Sequence, residues 1–409
     1  MKYGKTLLLI LAIGLCGTLS AQHNHGLPLA SDTVVPAGTV AIDSLGFDSV
    51  YAPLAAIEES EKEADAINPA DIIFGHIVDV HSWHLFDYKT VDKETGDTIE
   101  HAVAIPLPII LINDGHIDMF WSSKFHHGHA DYKGYRLVGG GADKEEIVCV
   151  DDEGNVLKDA EGNIVKPIDL SISKIPAAII IICILLVVFV MIAKNGYKKR
   201  ENQAPKGIQS IVEMLVVFVR DSIVRPMIGD KHYEKYLPYM LTLFFFIFFS
   251  NIMGLIPFFP AGANVTGNIA VTGILAFITF FITNLSGNKH YWVDIFNTPG
   301  VPAWLKIFPL MPLIEVVGVF TKPIVLMIRL FANMTAGHIV VLGLIIIIFI
   351  MSNAISMGVG GAMSVISVLF SVFISVLECL VAYIQAFVFT MLSSLYIGMA
   401  VAEPHHAEA

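Results

Sequence analysis

The stretch KPIVLMIRLFANMTAGHIVV, Lys322 to Val341, has the apolar composition of a membrane-spanning helix, yet it carries Arg329 near its centre. A guanidinium cannot lose its proton at any accessible pH, so it cannot avoid the cost of burial by becoming neutral. Placing it at the middle of a bilayer costs about 2.5–3.5 kcal/mol on insertion scales. Because intramembrane arginines usually mark ion paths or counter-ions, the stretch predicts a membrane protein with a functional charge inside it.

The composition of the whole chain indicates the same class. Of its 409 residues, 55% are hydrophobic and only 15% are charged, which is typical of a polytopic membrane protein. Residues 22–172 contain 27 acidic and 9 basic side chains, whereas residues 173–409 contain 10 acidic and 14 basic side chains. The two parts therefore occupy different surroundings, and we expect no nucleic-acid binding by the acidic part.

Three segments follow from these patterns. Residues 1–21 have the basic start, apolar run and small-residue end of a secretory signal peptide; a short uncleaved anchor is the alternative. Residues 22–172 are predicted to be an acidic extracytoplasmic domain with a flexible start. From Ile72 onward, short strands with Gly- and Asp-centred turns predict a small, mostly β fold there. Residues 173–409 form the predicted membrane domain, and the 4 cysteines indicate no disulfide framework.

The membrane domain is predicted to be all-α and polytopic, with about five membrane helices and one amphipathic surface helix. We expect the membrane helices at 175–193, 237–259, 269–285, about 309–351 and about 362–401, and the amphipathic helix at 207–229. Because about 20 residues suffice to cross a bilayer, the last two helices must be tilted or bent. A Gly-rich turn, SMGVGGAMS, is expected to separate them.

The orientation follows from the basic residues. The sequence KNGYKKR, Lys194 to Arg200, comes directly after the first membrane segment. Such a cluster is typical of the cytoplasmic side. We therefore predict a multi-pass protein of the bacterial inner membrane, with a periplasmic N-terminal domain and a cytoplasmic C-terminus.

Polar residues form a stripe on the helix that carries Arg329. Each residue of a helix advances by about 100°, so Lys322 lies about 20° from Arg329. Glu315 and Asn333 both lie at about 40°, and Glu315 is about 21 Å along the axis from Arg329. His338 lies on the opposite face, at about 180°.

A second stripe follows in the next helix, where Ser371, Glu378 and Gln385 recur at intervals of seven. We pair the two helices as an antiparallel hairpin with Gln385 level with Arg329. His338 then lies about 13 Å outward of Arg329, and Glu378 about 10 Å outward of Gln385. A titratable imidazole and a carboxylate at similar depth, with a fixed cation between them and an inner carboxylate, indicate two aqueous half-pathways separated by a charge barrier.

Each of these residues also has a simpler interpretation. Lys322 can extend its ammonium group to the membrane interface. His338 can be an interior histidine that is held by hydrogen bonds. Asn251, Asn268 and Asn333 can bond between helices without any role in transport.

The residues that carry these stripes resemble a known family. LIEVVGVFTKPIVLMIRLFANMTAGHIVV followed by LECLVAYIQAFVFTMLSSLYIGMA is similar to the signature of subunit a of rotary F-type ATP synthases. GIQSIVEMLVVFV and FFSNIMGLIP resemble earlier helices of that family, so the resemblance covers about Lys206 to Val401.

The resemblance implies a stator proton channel whose two offset half-channels serve the rotating ring of c subunits. It implies that Arg329 faces this ring, that Asn333 and Gln385 flank it, that Glu315 lines the cytoplasmic half-channel, and that His338 and Glu378 form the outer relay pair. We predict Lys322, Ser371, Asn251 and Asn268 as supporting residues. Two departures are that the acid and the histidine are exchanged relative to some members, and that Gly254 replaces an aspartate found in some relatives.

The implied partners are the c ring, the b subunits and the rest of the synthase, together with membrane lipid and protons. No cofactor or metal is expected, and the sequence has no GxxxxGK[ST] loop, so we expect no nucleotide binding and no catalysis by this chain. The alternative is a secondary ion-coupled transporter with Arg329 as counter-ion, although we find no internal repeat. A metalloenzyme using His126, His127 and His129, with Asp131 nearby, is a further alternative; a loop is the simpler interpretation.

Overall fold

The computed structural model describes residues 78–91, 98–113, 115–128, 130–140, 143–151, 153–159, 162–199, 205–256, 259–296, 310–354 and 357–402. In this part of the chain a small β domain precedes a bundle of helices. Five of these helices are long and apolar enough to cross a membrane. The predicted fold class is therefore confirmed. The predicted signal peptide and flexible start lie outside the described residues.

The β domain is built from antiparallel strands. Their bounds are β1 Ser82–Val91, β2 Thr98–Pro106, β3 Pro108–Asn113, β4 His116–Trp121, β5 Tyr135–Gly140, β6 Asp143–Cys149 and β7 Ile168–Asp169. They pair as β1-β2, β4-β3-β7 and β5-β6. One face of β3 is buried, with Ile109 and Leu111 against Phe125, because alternate residues of a strand point to the same side.

A buried histidine joins this domain's strands. The Nε2 atom of His81 lies 3.0 Å from Asp169 in β7, and its Nδ1 atom lies 3.3 Å from Glu145 in β6. The backbone N–H of His81 donates a second bond to Glu145, at 2.8 Å. Burial alone would lower the pKa of His81, but the two carboxylates outweigh it and raise that pKa to about 9.

The β domain is fastened to the start of the first helix, α1 (Lys174–Lys199). The carboxylate of Asp79 accepts a hydrogen bond from the Ser173 hydroxyl at 2.6 Å and another from the Ile175 N–H at 2.9 Å. It thereby satisfies an otherwise unpaired donor in the first turn of the helix. Trp83 is 3% exposed and meets Phe259 edge-on, with ring centroids 5.3 Å apart. We call the end of the membrane domain that touches these residues the β-domain side.

The remaining helices are α2 Ile208–Phe218, α3 Arg225–Ile228, α4 Tyr233–Leu255, α5 Ile269–Ser286, α6 Lys289–Phe296, α7 Leu310–Ala354 and α8 Met357–Val401. A π-helical segment, Val219–Val224, joins α2 to α3. One expectation was wrong in detail. Helix α8 begins at Met357, inside the Gly-rich stretch that was expected to be a turn.

The α2 region agrees with the predicted amphipathic surface helix. At 11 residues α2 is too short to cross a bilayer. Gln209 and Val212 are buried against the bundle, whereas Ile211 and Met214 are more than half exposed. One face therefore packs on the protein and the other offers apolar side chains to the membrane.

Helix α4 lies at the centre of the bundle. Phe244 and Ile247 have no exposed surface, and Phe189 of α1 packs against Phe245 and Phe249 with ring centroids 5.5 and 5.1 Å apart. The long helices α7 and α8 differ, because only 11% of the most apolar window of each is buried inside the protein. Most of the hairpin surface is therefore available to lipid or to another subunit.

The end of the bundle opposite the β-domain side is closed by close contacts. Asn288 donates from its backbone to the Ala400 carbonyl at 2.9 Å and from its side chain to the Val401 carbonyl at 3.0 Å. These bonds satisfy carbonyls at the end of α8 that have no partner within the helix. A Cβ atom at Gly398 would overlap the carbonyl oxygen of Met227, so only glycine permits α8 to approach α3 this closely.

The His81 cluster makes the stability of the β domain depend on pH. A histidine with a raised pKa stabilises the folded state fully below its unfolded pKa, about 6.5, and this stabilisation is lost as the pH rises through about 9. We expect hydrogen exchange in β7 of the full chain, corrected for intrinsic rates, to report a loss of up to about 3 kcal/mol across this range. The variant His81→Gln cannot titrate, so its profile should be flatter; equal profiles would contradict this assignment.

Candidate ion-translocation site

The hairpin of α7 and α8 has a definite register. Near the β-domain side, a Cβ atom built at Gly337 would lie 3.0 Å from the carboxyl carbon of Glu378. Nearer the other end, the ammonium of Lys322 lies 5.4 Å from the centre of the Tyr396 ring. Both contacts agree with an antiparallel pair, as the sequence predicts.

Arg329 lies between these two contacts, and the register that they define places it within about one turn of Gln385. Gln385 is 4% exposed, and Arg329 is half-buried at the edge of the open hairpin face. Neighbouring apolar residues on that open face, such as Val325 and Ile328, are 42% and 50% exposed. The charge therefore stands where a partner or lipid surface would meet the helix.

A first cavity lies on the β-domain side of Arg329 and has room for about one water molecule. Its walls are Asn333, Met334, Gly337 and His338 of α7, Glu378 and Val381 of α8, and Leu255 of α4. Buried atoms Nε2 of His338 and Oε1 of Glu378 have no hydrogen-bond partner among the described residues. A water molecule in this cavity would complete these bonds.

A second cavity of about 330 Å³ lies on the opposite side of Arg329. Its walls include Lys322, Pro323 and Leu326 of α7, Tyr396 of α8, Tyr291 of α6, and Thr279, Thr283 and Asn284 of α5. Leu326 lines this cavity and Asn333 lines the first. Seven residues, about 10 Å of helix, separate them, and Arg329 lies within that interval.

Two of the predicted supporting residues, Asn251 and Asn268, line neither cavity. Asn251 has no exposed surface, donates to the Ala382 carbonyl at 3.3 Å and accepts from Thr266 at 2.6 Å, so it bonds between elements of the bundle. Asn268 caps α5 by accepting from the Ala270 N–H at 2.8 Å. Asn251 therefore bonds between elements, as the simpler interpretation expects, whereas Asn268 caps its own helix. A supporting role for either residue stays a prediction.

Two further candidates lie outside the cavities. Glu315 is half-buried near the start of α7, and it does not belong to the walls of either cavity. Ser371 lies two turns from Glu378 toward the β-domain side, and its hydroxyl oxygen is buried without a partner among the described residues. Ser371 thus lies on the same stripe as the first cavity, whereas Glu315 lies beyond the second.

Sequence reasoning missed the parts that Gly337 and Lys174 play at the first cavity, and it singled out Gly254 only as a departure from the family. Gly337 leaves the space that the Glu378 carboxylate occupies, and a Cβ at Gly254 would lie 3.5 Å from Nε2 of His338. Lys174, the first residue of α1, lies close enough for its charge to act on His338. A lysine at the start of an apolar run was visible in the sequence, but its approach to His338 depends on tertiary packing.

No group of three or more metal-ligating side chains occurs among the described residues. Of the histidines in the metalloenzyme alternative, His129 lies outside them. The donor set around the first cavity, one imidazole and one carboxylate, suits proton transfer, because both groups exchange protons near neutral pH when their surroundings allow it.

The fold and this site define a class of membrane protein. Among the described residues, five helices are long and apolar enough to cross a membrane, and ionisable side chains lie along a long helical hairpin, as in ion-translocating proteins. Residues 177–398 match the profile of a family described as ATP synthase A chain. The chain belongs to this family. Residues 72–170 match a second family, described as a domain of unknown function.

Two relatives illustrate the family match. ATP synthase subunit a of Pelodictyon phaeoclathratiforme is 44% identical over 247 residues, which cover 59% of this chain and 68% of the relative. ATP synthase subunit a of Myxococcus xanthus is 42% identical over 243 residues, which cover 58% of this chain and 76% of the relative. These matches agree with the family resemblance and give no support to the transporter alternative.

Gly337 offers a test of the first cavity. In Gly337→Ala the new methyl group would overlap the Glu378 carboxylate and displace it. Because a shift of about 1 Å at a reacting group can slow a reaction about 100-fold, we expect ATP-driven proton pumping by membranes with the whole complex to fall at least tenfold. Gly343→Ala, in the same helix with no atom within 4 Å of the new methyl group, is the matched control and should pump normally. Equal pumping by the two variants would show that this contact is unimportant.

Proposed function

We propose that this chain is the stationary proton channel of an F-type ATP synthase and couples the proton-motive force to ATP synthesis. The observation that carries the proposal is the pair of cavities on either side of Arg329. Two aqueous compartments separated by a permanent positive charge allow protons to reach mid-membrane from both sides. They do not allow a proton to pass directly from one compartment to the other.

The first cavity is the half-channel from the periplasmic side. His338 and Glu378 line it together, so they act as a relay pair that hands protons to a carrier at the hairpin face. A relay needs one group that accepts and one that donates, and either order along the path serves. The exchanged positions of the acid and the histidine are compatible with this role.

The second cavity belongs to the half-channel toward the cytoplasm. Thr279, Thr283 and Asn284 give its wall a polar strip, and Lys322 reaches it from α7. Glu315 lies farther along α7 and would stand at the outlet of this path. Supporting roles for Lys322 and Ser371 are part of the proposal.

The proton carrier is a carboxylate on each subunit of a rotating c ring. The open face of α7 and α8 supplies the surface for this ring, because its exposed side chains are almost all apolar. A carboxylate that has lost its proton to the second half-channel passes Arg329, whose charge stabilises the ionised form. The carboxylate is reprotonated at the first half-channel, and the ring turns one step. Each elementary charge contributes about 2.3 kcal/mol per 100 mV.

We also propose which tasks and partners surround this chain. The chain itself performs no chemistry on ATP, which other subunits carry out. The b subunits and the c ring are its partners in the bacterial inner membrane. The β domain faces the periplasm and the C-terminus faces the cytoplasm, in agreement with the basic cluster after α1.

Arg329→Ala tests the charge barrier. We expect ATP-driven acidification by membranes with the assembled complex to fall to background, because the ring carboxylate loses its counter-charge. After the soluble catalytic part is stripped, passive proton leak should rise. Lys198→Ala removes a cation of the basic cluster after α1 that lines neither cavity, and it is the control; it should retain most of the pumping. Unchanged pumping by Arg329→Ala in an assembled complex would exclude the barrier role.

An exchange of the relay pair tests the first half-channel. His338→Glu and Glu378→His each leave two like groups in one cavity, so each should reduce pumping strongly. The double variant restores one acid and one imidazole, and we expect it to pump better than either single variant. This non-additive result is characteristic of groups that interact directly. A double variant no better than its worse parent would argue that the two residues act independently.

A further inference from the structure

One face of the three-stranded sheet in the β domain is apolar and exposed. The opposite face, with Ile109 and Leu111, is buried in the domain core. On the exposed face, Ile117 and Met119 are each 66% exposed and Trp121 is 56% exposed. An apolar face of this kind usually marks a contact with another surface.

The strand register arranges this face in three rows. Trp121 lies opposite Pro108 in the first row. Met119 lies opposite Ile110 in the second, where Leu170 donates to the Ile110 carbonyl. The third row joins Ile117, Ile112 and Ile168 across β4, β3 and β7. All eight side chains are apolar, and successive rows are about 7 Å apart.

The first row is the one nearest the membrane. The carbonyl of Pro108 accepts a hydrogen bond from the Ile172 N–H at 3.1 Å, and Ile172 is two residues before α1. Two residues of extended chain span about 7 Å. Ile105, three residues before Pro108, packs against the core of the membrane domain. The apolar face therefore continues directly from the membrane-spanning surface of α1.

A tryptophan at this position has a specific physical meaning. Tryptophan is enriched at membrane–water interfaces, where its amphipathic ring sits at the level of the lipid headgroups. Trp121 occupies the row closest to the start of a membrane helix and is more than half exposed. Met119 and Leu170 extend the apolar surface one row farther from the start of α1.

We propose that this face rests on the lipid bilayer, with the Trp121 edge inserted at the headgroup level of the leaflet on the β-domain side. The β domain is then held by two attachments, the Asp79 cap on α1 and a lipid contact through β4. The surface that covers this apolar face is phospholipid. The test below also detects the two other coverings, which are a second copy of the chain and residues of this chain outside the described part.

Spin labels at two depths test the proposal in the full chain reconstituted in phosphatidylcholine and phosphatidylethanolamine vesicles. Cys16 and Cys379 are replaced by serine; Cys149 and Cys183 are buried. A nitroxide is placed in Met119→Cys or Ile117→Cys, and its collisions with oxygen and with a water-soluble nickel chelate are measured. Val138→Cys, 43% exposed in β5 of another sheet, is the matched control.

The expected result is graded. The label at position 119 should collide with oxygen and be shielded from nickel, the label at 117 should be shielded less, and the control should resemble a label in water. If the labels at 119 and 117 are as open to nickel as the control, the face is in water and the proposal is overturned. If both are closed to oxygen as well as nickel, or broaden each other between chains, protein covers the face and the proposal is also overturned.

Discussion

A charge that cannot be neutralised is the constraint on which the rest of this membrane domain depends. Arg329 holds a guanidinium about halfway between two cavities, and the cost of that charge in lipid is several kcal/mol. The surrounding structure limits this cost by placing a small cavity with room for water within about two turns of helix on each side. It also keeps Arg329 at the edge of an open face, where a carboxylate on a partner can approach it.

The positions of these cavities follow from packing choices elsewhere. Gly337 leaves space for Glu378, and Gly254 leaves space beside His338. The buried Asn251 joins α4 to α8 and to the loop before α5, so the wall of the first cavity is tied to the bundle. At the other end Asn288 and Gly398 fix α8 against α6 and α3. The other helices thus pack against the hairpin from behind and hold it in place, while its open face stays exposed.

Much of this arrangement is predictable from sequence, because helical periodicity is a strong signal. The polar stripes on α7 and α8, their register and the number of membrane helices all follow from spacing and composition. The sequence prediction was wrong at the start of α8, where the tertiary structure overrides local propensity. The glycines after Ser356 favour a turn, but the residues from Met357 onward belong to α8. The approach of Lys174 to His338 depends on a contact between distant elements, which no local pattern encodes. The cap made by Asn268 is a contact only two residues along the chain, and an asparagine directly before an apolar helix is a local signal for it.

The exposed hairpin described above has a consequence for biogenesis. Only 11% of the most apolar window of α7 and of α8 is buried within the chain. Contacts within the chain therefore do little to fix the tilt of these two helices. Binding of a partner to the folded form stabilises that form by an amount that grows with the logarithm of the partner concentration. The orphan subunit is consequently the form most open to membrane proteases. Its abundance in the cell is then set by the supply of partners, which couples the stoichiometry of the complex to degradation of the excess.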